Sequence, residues 1–496
     1  MLPQTLTRTS SQSLTRQLCE RFAQRIKSRL LAPGARLPSV RLCAQQQGVS
    51  VSTVVAAYDQ LQALGLVVAR QSSGFYVRDQ AVSVSNVPVV PVVAAGNATE
   101  IIASHPLPMR TVSAPVDATQ LIRGMFHQPL VAAGEGGAAA VKPQPGMGVF
   151  PPDWLVSSFL PAAVRKFTGA KALADWSLQY GEPKGDISLR RALSHKLGAL
   201  NIAVPAEQII TTVGATHALD IVSRTLLQAG DCVMVEEPGW AVEFARLGAL
   251  GMQILPVPRH ADGPDLAVMA RYCQTHAPKL FVSVSVLHNP TGASISPGSA
   301  HRVLQLAEQH NFHIVEDDTY SHLAPEHATR LCALDGLQRT IYVSGFAKIL
   351  APGWRVGFMA APPHLVERLL DTKLLATLTT PALLEKALAH CIDQGQLRRH
   401  AERIRARLGQ ARDRSVQLAL RHGCTFAAEP AGLFGWVDTG VDTDTLAQRM
   451  LDDGYLIAPG SLFHAVRHPT TLMRINFATT QEAGFWGVFK RLRGGA

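Results

Sequence analysis

The sequence predicts an α/β protein in two parts. One is a small basic winged helix-turn-helix head; the other is a large body with a mainly parallel sheet, helices on both of its faces and a small C-terminal α+β unit. Three observations predict this. The 496 residues are more than one hydrophobic core usually serves. The formal net charge of +10 is unevenly placed: residues 1–80 hold ten Lys/Arg against three Asp/Glu, a surplus of seven that leaves only three for the rest. From about residue 150 onward, short apolar runs alternate with helix-length amphipathic segments, the pattern of a parallel sheet and its crossover helices.

A basic head on a near-neutral body suits a polyanionic partner, or else is a merely solvated basic surface. The seven cysteines are scattered, with no C-x-x-C, no H-E-x-x-H and no zinc-finger spacing, so no metal site is expected and a reducing cytoplasm is. The N-terminus lacks the apolar core of a signal peptide, and the apolar stretch 82–95 is too short and too Pro-broken to span a bilayer. No membrane segment is expected.

The head is placed at 10–78. Residues 14–30 predict a first helix with Leu18, Phe22, Ile26 and Leu30 on one stripe, ended by Pro33-Gly34. Ser39 is placed to cap a second helix running to Gln47. Gly48 turns the chain, and Ser50 is placed to cap a third helix over 51–64 with Val54, Tyr58, Leu61 and Leu64 toward the core. Strands over 66–70 and 74–78, joined by Gln71-Ser72-Ser73, form the wing. In such a module the third helix enters the major groove of double-stranded DNA, its N-terminal residues toward the bases. Ser50, Ser52 and Thr53, with Ser39, are the candidates for phosphate or base contacts, and Arg41, Arg36 and Arg70 for neutralising phosphates. A three-helix packing module without a ligand is the alternative.

Residues 79–118, rich in Val, Pro, Ala and Ser, predict a semi-extended linker broken by Pro88, Pro91, Pro106, Pro108 and Pro115. The body, 119–496, opens with a helical patch over 121–126 and a Gly/Ala loop over 134–148. Strands are predicted at 209–213, 232–236, 280–286, 313–316 and 341–344. After Pro362 long helices run to Arg421, before the α+β unit.

Ligands of open parallel sheets sit beyond the carboxyl ends of strands, and these five strands end in residues that suit one site. Gly214-Ala215-Thr216 opens a helix whose free N–H groups, with the Thr216 hydroxyl, can hold a phosphate, or is an ordinary helix cap. Trp240 can stack on a pyridine ring or sit in the core. Asn289, in His288-Asn289-Pro290-Thr291-Gly292, can donate to a ring oxygen or lie in a plain surface turn, with His288 a turn residue rather than a catalyst. In Glu316-Asp317-Asp318-Thr319-Tyr320, a buried Asp317 suits a protonated pyridine nitrogen and Tyr320 a ring oxygen; a metal-type acidic cluster or a helix N-terminus are the alternatives. After Ser344, Lys348 lies among Ala347, Ile349 and Leu350, unusual neighbours for a surface lysine. A depressed pKa would let its amine form a Schiff base, and Arg355 can grip a phosphate bidentately.

The head resembles the GntR family of regulators in P-G-A-R-L-P-S-V-R over 33–41, G-V-S-V-S-T-V-V-A-A-Y-D-Q-L over 48–61 and G-F-Y-V from Gly74; Val51 and Val55 stand where that family often has arginine. The body resembles the fold-type-I aminotransferases in N-P-T-G at Asn289, D-D-T-Y at Asp317 and K-I-L-A-P-G-W-R-V-G from Lys348. That resemblance implies pyridoxal 5'-phosphate on Lys348, with Asp317 as pyridinium partner, Asn289 and Tyr320 on the ring oxygen, Trp240 stacking, and Ala215, Thr216 and Arg355 on the phosphate. It also implies a homodimer, because Tyr180 in Y-G-E-P-K-G matches a tyrosine that reaches the neighbouring subunit's phosphate, and it implies that Arg474 in L-M-R-I-N-F-A binds a substrate α-carboxylate. The family commonly carries a phosphate-binding hydroxyl one or three residues before the lysine. Here those places are Ala347 and Gly345, and Ser344, one step further away, is the candidate hydroxyl that compensates on the phosphate.

The whole chain is similar to the MocR-type subfamily of GntR regulators. That implies a pyridoxal-phosphate-dependent transcription regulator that binds an operator and senses an amine or amino acid by aldimine exchange. The alternative is an active aminotransferase carrying a DNA-binding head.

Overall fold

The computed structural model describes residues 12–27, 31, 34–70, 74–78, 144–178 and 180–494. The expected linker 79–118, the patch 121–126, most of the 134–148 loop, the 71–73 turn, Leu30 and Pro33 lie outside them. The chain divides into two units, 1–128 and 129–496.

In the first unit, α1 (Leu14–Lys27), α2 (Val40–Gln47) and α3 (Val51–Ala63) are followed by an antiparallel ribbon of β1 (Val67–Arg70) and β2 (Gly74–Val77). The helix boundaries follow from local chemistry. Ser39 Oγ accepts from Leu42 N at 3.4 Å and Ser50 Oγ from Thr53 N at 3.1 Å, so each satisfies an N–H that the helix leaves over. Between them Gly48 sits at φ +62° and returns its N–H to Ala44, the left-handed stop that only glycine takes without steric cost. Tyr58 is the hub of the core. Its ring meets Phe22 of α1 and Phe75 of the wing edge-on, and its hydroxyl donates to Pro38 O at 3.0 Å. Leu18, Phe22, Ile26, Val54 and Leu61 pack around it. Leu64, expected in this core, is 62% exposed, because the helix ends at Ala63 and the chain has already begun to turn.

The second unit carries an eight-stranded sheet of β3 (Ile209–Thr212), β4 (Cys232–Glu237), β5 (Gln253–His260), β6 (Gly263–Pro264), β7 (Leu280–Ser283), β8 (His313–Asp317), β9 (Thr340–Gly345) and β10 (Gly357–Ala360). The order across it is β3-β10-β9-β8-β7-β4-β5-β6. The pairs β4–β5, β4–β7, β7–β8 and β8–β9 are parallel; β10 is antiparallel to both β3 and β9, which leaves β3 running with the parallel set. Strand β10 was not expected: four residues after a turn carry no periodicity of their own, and only its two neighbours define it. The run 280–286 was expected to be one strand but leaves the sheet at Ser283, where Val284 N is drawn to the Glu236 carboxylate at 2.8 Å.

Side-chain alternation divides the sheet's apolar residues between two cores. Val233, Val235, Val282, Val315 and Val343 pack with the helices Ala215–Leu226, Ala241–Ala249 and Pro363–Thr377. Met234, Phe281 and Ile314 point the other way, with Leu266–His276 and Pro297–His310. A small antiparallel sheet closes the chain: β11 (Thr425–Phe426), β12 (Phe434–Asp438), β13 (Ala458–Pro459) and β14 (Leu472–Asn476), in the order β11-β12-β14-β13. Among the described residues no helix is long and apolar enough to cross a membrane.

Because Leu61 is fully buried in a core confined to the head, Leu61→Ala is expected to destabilise the head by roughly 2–5 kcal/mol. Differential scanning calorimetry should then show the head's transition lowered and the body's unmoved; a common shift of both would contradict separate cores.

Candidate functional site

The site is assembled at the carboxyl ends of the parallel strands. At β8 the three consecutive carboxylates go to different places. Glu316 is buried and accepts from Leu331 N at 2.7 Å and Cys332 N at 2.8 Å. Asp318 accepts from Arg330 Nε at 2.6 Å and Tyr342 Oη at 3.0 Å. Asp317 points the opposite way, into a cavity lined by Trp240, Glu243 and His288, and accepts from Thr319 N at 3.1 Å and from the Thr319 hydroxyl. Burial, with Glu243 nearby, holds the Asp317 carboxyl up at about 6. The three carboxylates of this acidic run thus turn to separate partners rather than toward one centre, which is not the convergence that the metal-type alternative needs.

Lys348 follows the turn after β9, fixed by the buried Phe346, Ile349 and Leu350. Its Nζ donates to Gly148 O at 2.8 Å and lies 5.6 Å from the Tyr320 ring centroid. Burial and the Arg474 guanidinium lower its pKa to about 8, against the pull of Asp317. Arg474, from β14, donates to Asn289 Oδ1 at 2.8 Å and Gly146 O at 2.6 Å, and its guanidinium lies 4.3 Å from the Phe434 centroid. Its Nε has no partner among the described residues. Asn289 is 4% exposed, so the plain surface turn is set aside. His288 is buried and its pKa falls well below the ordinary range through desolvation, which keeps it neutral. It pairs with Thr291 Oγ1 at 2.9 Å.

The other end of the site is shaped by close backbone approach. Gly214, at φ +81°, lies under Arg355: a Cβ there would sit 2.5 Å from Arg355 Nη2. A Cβ on Gly357 would meet Gly214 C at 2.5 Å and Ala215 N at 2.7 Å. Arg355 Nη2 donates to Val213 O at 3.1 Å. Among the described residues no side chain caps the helix that begins at Ala215, where the N-cap is Gly214, and Thr216 is exposed beside His217, Arg355 and Thr377. Ser344 departs from expectation. It is buried, and its hydroxyl donates to Asp318 O at 2.9 Å, which turns it away from this end. Tyr180 is 85% exposed.

Sequence reasoning missed several participants. Gly146 and Gly148 were read only as part of a Gly/Ala loop, yet Asn476 Nδ2 holds this segment by Met147 O at 2.9 Å and Val149 O at 2.7 Å and lays it across Lys348 and Arg474. Phe434 and Glu243 were also missed. Both are brought in from other elements and leave no local motif.

In the head, Ser39 and Ser50 serve as helix caps. Ser52 Oγ lies 2.8 Å and Thr53 Oγ1 2.7 Å from Ser50 Oγ, so the three hydroxyls form one cluster at the start of α3. Arg41 is exposed on α2, and Arg36 is exposed with its guanidinium beside Gly74 of the wing. The side chain of Arg70 lies outside the described residues.

These features agree with what the chain is similar to. Residues 158–485 match the family described as aminotransferase class I and II, and residues 14–77 that described as bacterial regulatory proteins, gntR family. The uncharacterized HTH-type transcriptional regulator YdcR of Escherichia coli (strain K12) is 28% identical over 473 residues, covering 93% of this chain and 94% of that protein. The probable rhizopine catabolism regulatory protein MocR of Rhizobium meliloti is 29% identical over 423 residues, covering 84% and 79%. Among solved structures, Pyrococcus horikoshii kynurenine aminotransferase in complex with PMP superposes with a TM-score of 0.66 at 26% identity, over 75% of this chain and 93% of that one. With residues 158–485, the greater part of its length, matching the aminotransferase class I and II family and a gntR-type head before them, the chain belongs to that family and is a transcription regulator of the MocR type.

Proposed function

We propose that this regulator binds its operator as a homodimer and senses a small amine or amino acid through pyridoxal phosphate held in its body. The observation that carries the reading is the convergence of Lys348, Asp317, Arg474 and the Gly214–Arg355 cradle on one set of strand ends. The aminotransferase class I and II family is pyridoxal-phosphate-dependent. The donor set fits that group. The uncapped helix at Ala215 and Thr216, with Arg355, suits a phosphate. A buried Asp317 carboxyl raised to about 6 gains by meeting a cationic ring nitrogen. Trp240 supplies a stacking face, and Asn289 and Tyr320 supply donors for a ring oxygen.

Bound there, pyridoxal phosphate supplies an aldehyde that condenses reversibly with amines. Lys348 is the residue that would hold the group through its amine, and Arg474 would orient a ligand carboxylate beside it. Tyr180, exposed on its own subunit, supports a reach into a second copy. Leu178, Leu375 and Leu378 are exposed on the two segments that meet where Gly181 lies against Thr380, and they supply an apolar surface for that copy. A ligand shifts the dimer only by its differential affinity for two states; closure of the small C-terminal unit is the proposed difference, read out in the freedom of the heads. Such a regulator works in the cytoplasm.

A second reading is an active aminotransferase with a DNA-binding head. It is favoured by the complete set of Lys348, Asp317 and Arg474. Product formation from several amino acids at ordinary enzyme rates supports it. Spectral exchange without product, together with a DNase footprint altered by the same amine, supports sensing.

Three outcomes are expected. Lys348→Ala should abolish the amine-dependent change in the footprint while leaving operator binding intact; a retained response would exclude Lys348 as the anchor. Only the neutral amine attacks an aldehyde, so a pKa of about 8 leaves about a tenth of Lys348 reactive at pH 7. Stopped-flow capture of pyridoxal phosphate by apoprotein should therefore rise with pH and level off just above 8, and a rise continuing to pH 10 would contradict the lowered value. Arg474→Lys should weaken amino acids about 10- to 100-fold, the worth of a charge-assisted hydrogen bond, and leave the matching decarboxylated amines little changed. Equal loss for both in a spectral titration would remove the carboxylate role.

A further inference from the structure

The head presents a reading surface that differs from its phosphate-binding one. Over the first two turns of α3 the exposed side chains are Val51, 50% exposed, Ser52, and Val55, 40% exposed, the two valines one helical turn apart. The hydroxyls beside them are engaged at the cap: Ser50 Oγ accepts from Thr53 N and is shared with Ser52 and Thr53. No Arg, Lys, Asn or Gln occupies residues 51–58, so the bidentate partners that read guanine and adenine edges are missing where the motif meets the bases. Valine is also a poor choice for an exposed helix position on propensity grounds, because its branched Cβ loses rotamer freedom.

We propose that Val51 and Val55 are the base-reading residues of this regulator and that they dock on thymine 5-methyl groups in the major groove. The proposal rests on the DNA-binding role of the head. It commits to DNA as occupant because the two valines are exposed apolar side chains in a segment with seven surplus positive charges that also exposes Arg36 and Arg41. The thymine methyl is the apolar feature that base edges offer in the major groove. The division of labour follows: the arginines hold phosphates and set position, while the valines choose sequence by shape.

The test uses the full chain loaded with pyridoxal phosphate. A binding site is selected from a random duplex library, and each dT of the site is then replaced singly by dU, which removes only the methyl. One or two positions in each half-site are expected to lose about fourfold or more in affinity, the worth of one buried CH2. Val51→Ala and Val55→Ala should each erase the dT/dU difference at one position, Val55→Ile should keep it, and the dependence of affinity on salt should stay unchanged because phosphate contacts are untouched. Affinity indifferent to dU at every position overturns the proposal. So does a Val51→Ala, Val55→Ala double variant that keeps the dT/dU ratio, or one that alters oligomeric state instead, which would mark the valines as a protein contact. If no duplex is selected at all, it is the DNA-binding role that fails.

Discussion

Successive side chains of a strand point to opposite faces of its sheet, and at β8 that alternation decides where three consecutive carboxylates go. Glu316 and Asp318 fall on the side of the Arg330–Cys332 segment, where backbone N–H groups and the Arg330 guanidinium take them up. Asp317 falls on the other side, at the strand end, where among the described residues Thr319 alone donates to it. Without this separation the run would be a single acidic patch. With it, one carboxylate is held ready beside the cavity and the other two secure the element that carries it. The parallel arrangement extends the logic, because strands running the same way present Gly214, Trp240, Asn289 and Tyr320 at the same edge.

Burial sets the chemistry of what remains. A charge taken from water must be paired or shifts its pKa. Arg259 with Glu236 and Arg330 with Asp318 are paired at negligible exposure. Breaking such a pair by removing one partner costs several kcal/mol, whatever its net worth. Lys348 and Arg474 share a confined space without a paired carboxylate, so both are lowered, Lys348 to about 8 and Arg474 to about 10. The guanidinium stays charged at neutral pH while part of the amine does not. One site thus holds a fixed cation for a carboxylate and a nucleophilic amine next to it.

The head solves a different problem with the same economy. Ser39 and Ser50 were read as candidates for contact with DNA, and they are first of all caps that set where α2 and α3 begin. The start of α3 fixes which residues face outward, and that register turns Val51 and Val55 to the surface while Val54, Ala57, Tyr58 and Leu61 close the core.

Both units were legible in the sequence as types of fold. Helix caps, the Gly48 turn, the Tyr58 stripe and five strands with their end residues are encoded within a few neighbouring positions, and hydrophobic period and cap chemistry are local properties. The contacts that finish the site are not local. Gly148 meets Lys348 across 200 positions, and Arg474 meets Asn289 across 185. The Gly214–Arg355 approach and strand β10 exist only because elements distant in the chain are packed together. Ser344 lost its expected role because a nearer carbonyl claimed its hydroxyl. Local chain chemistry sets most of the elements and the reactive residues that stand at their ends. The tertiary structure decided which of those residues face one another and how far burial shifts their charge, since long-range packing and desolvation depend on neighbours that the local chain does not name.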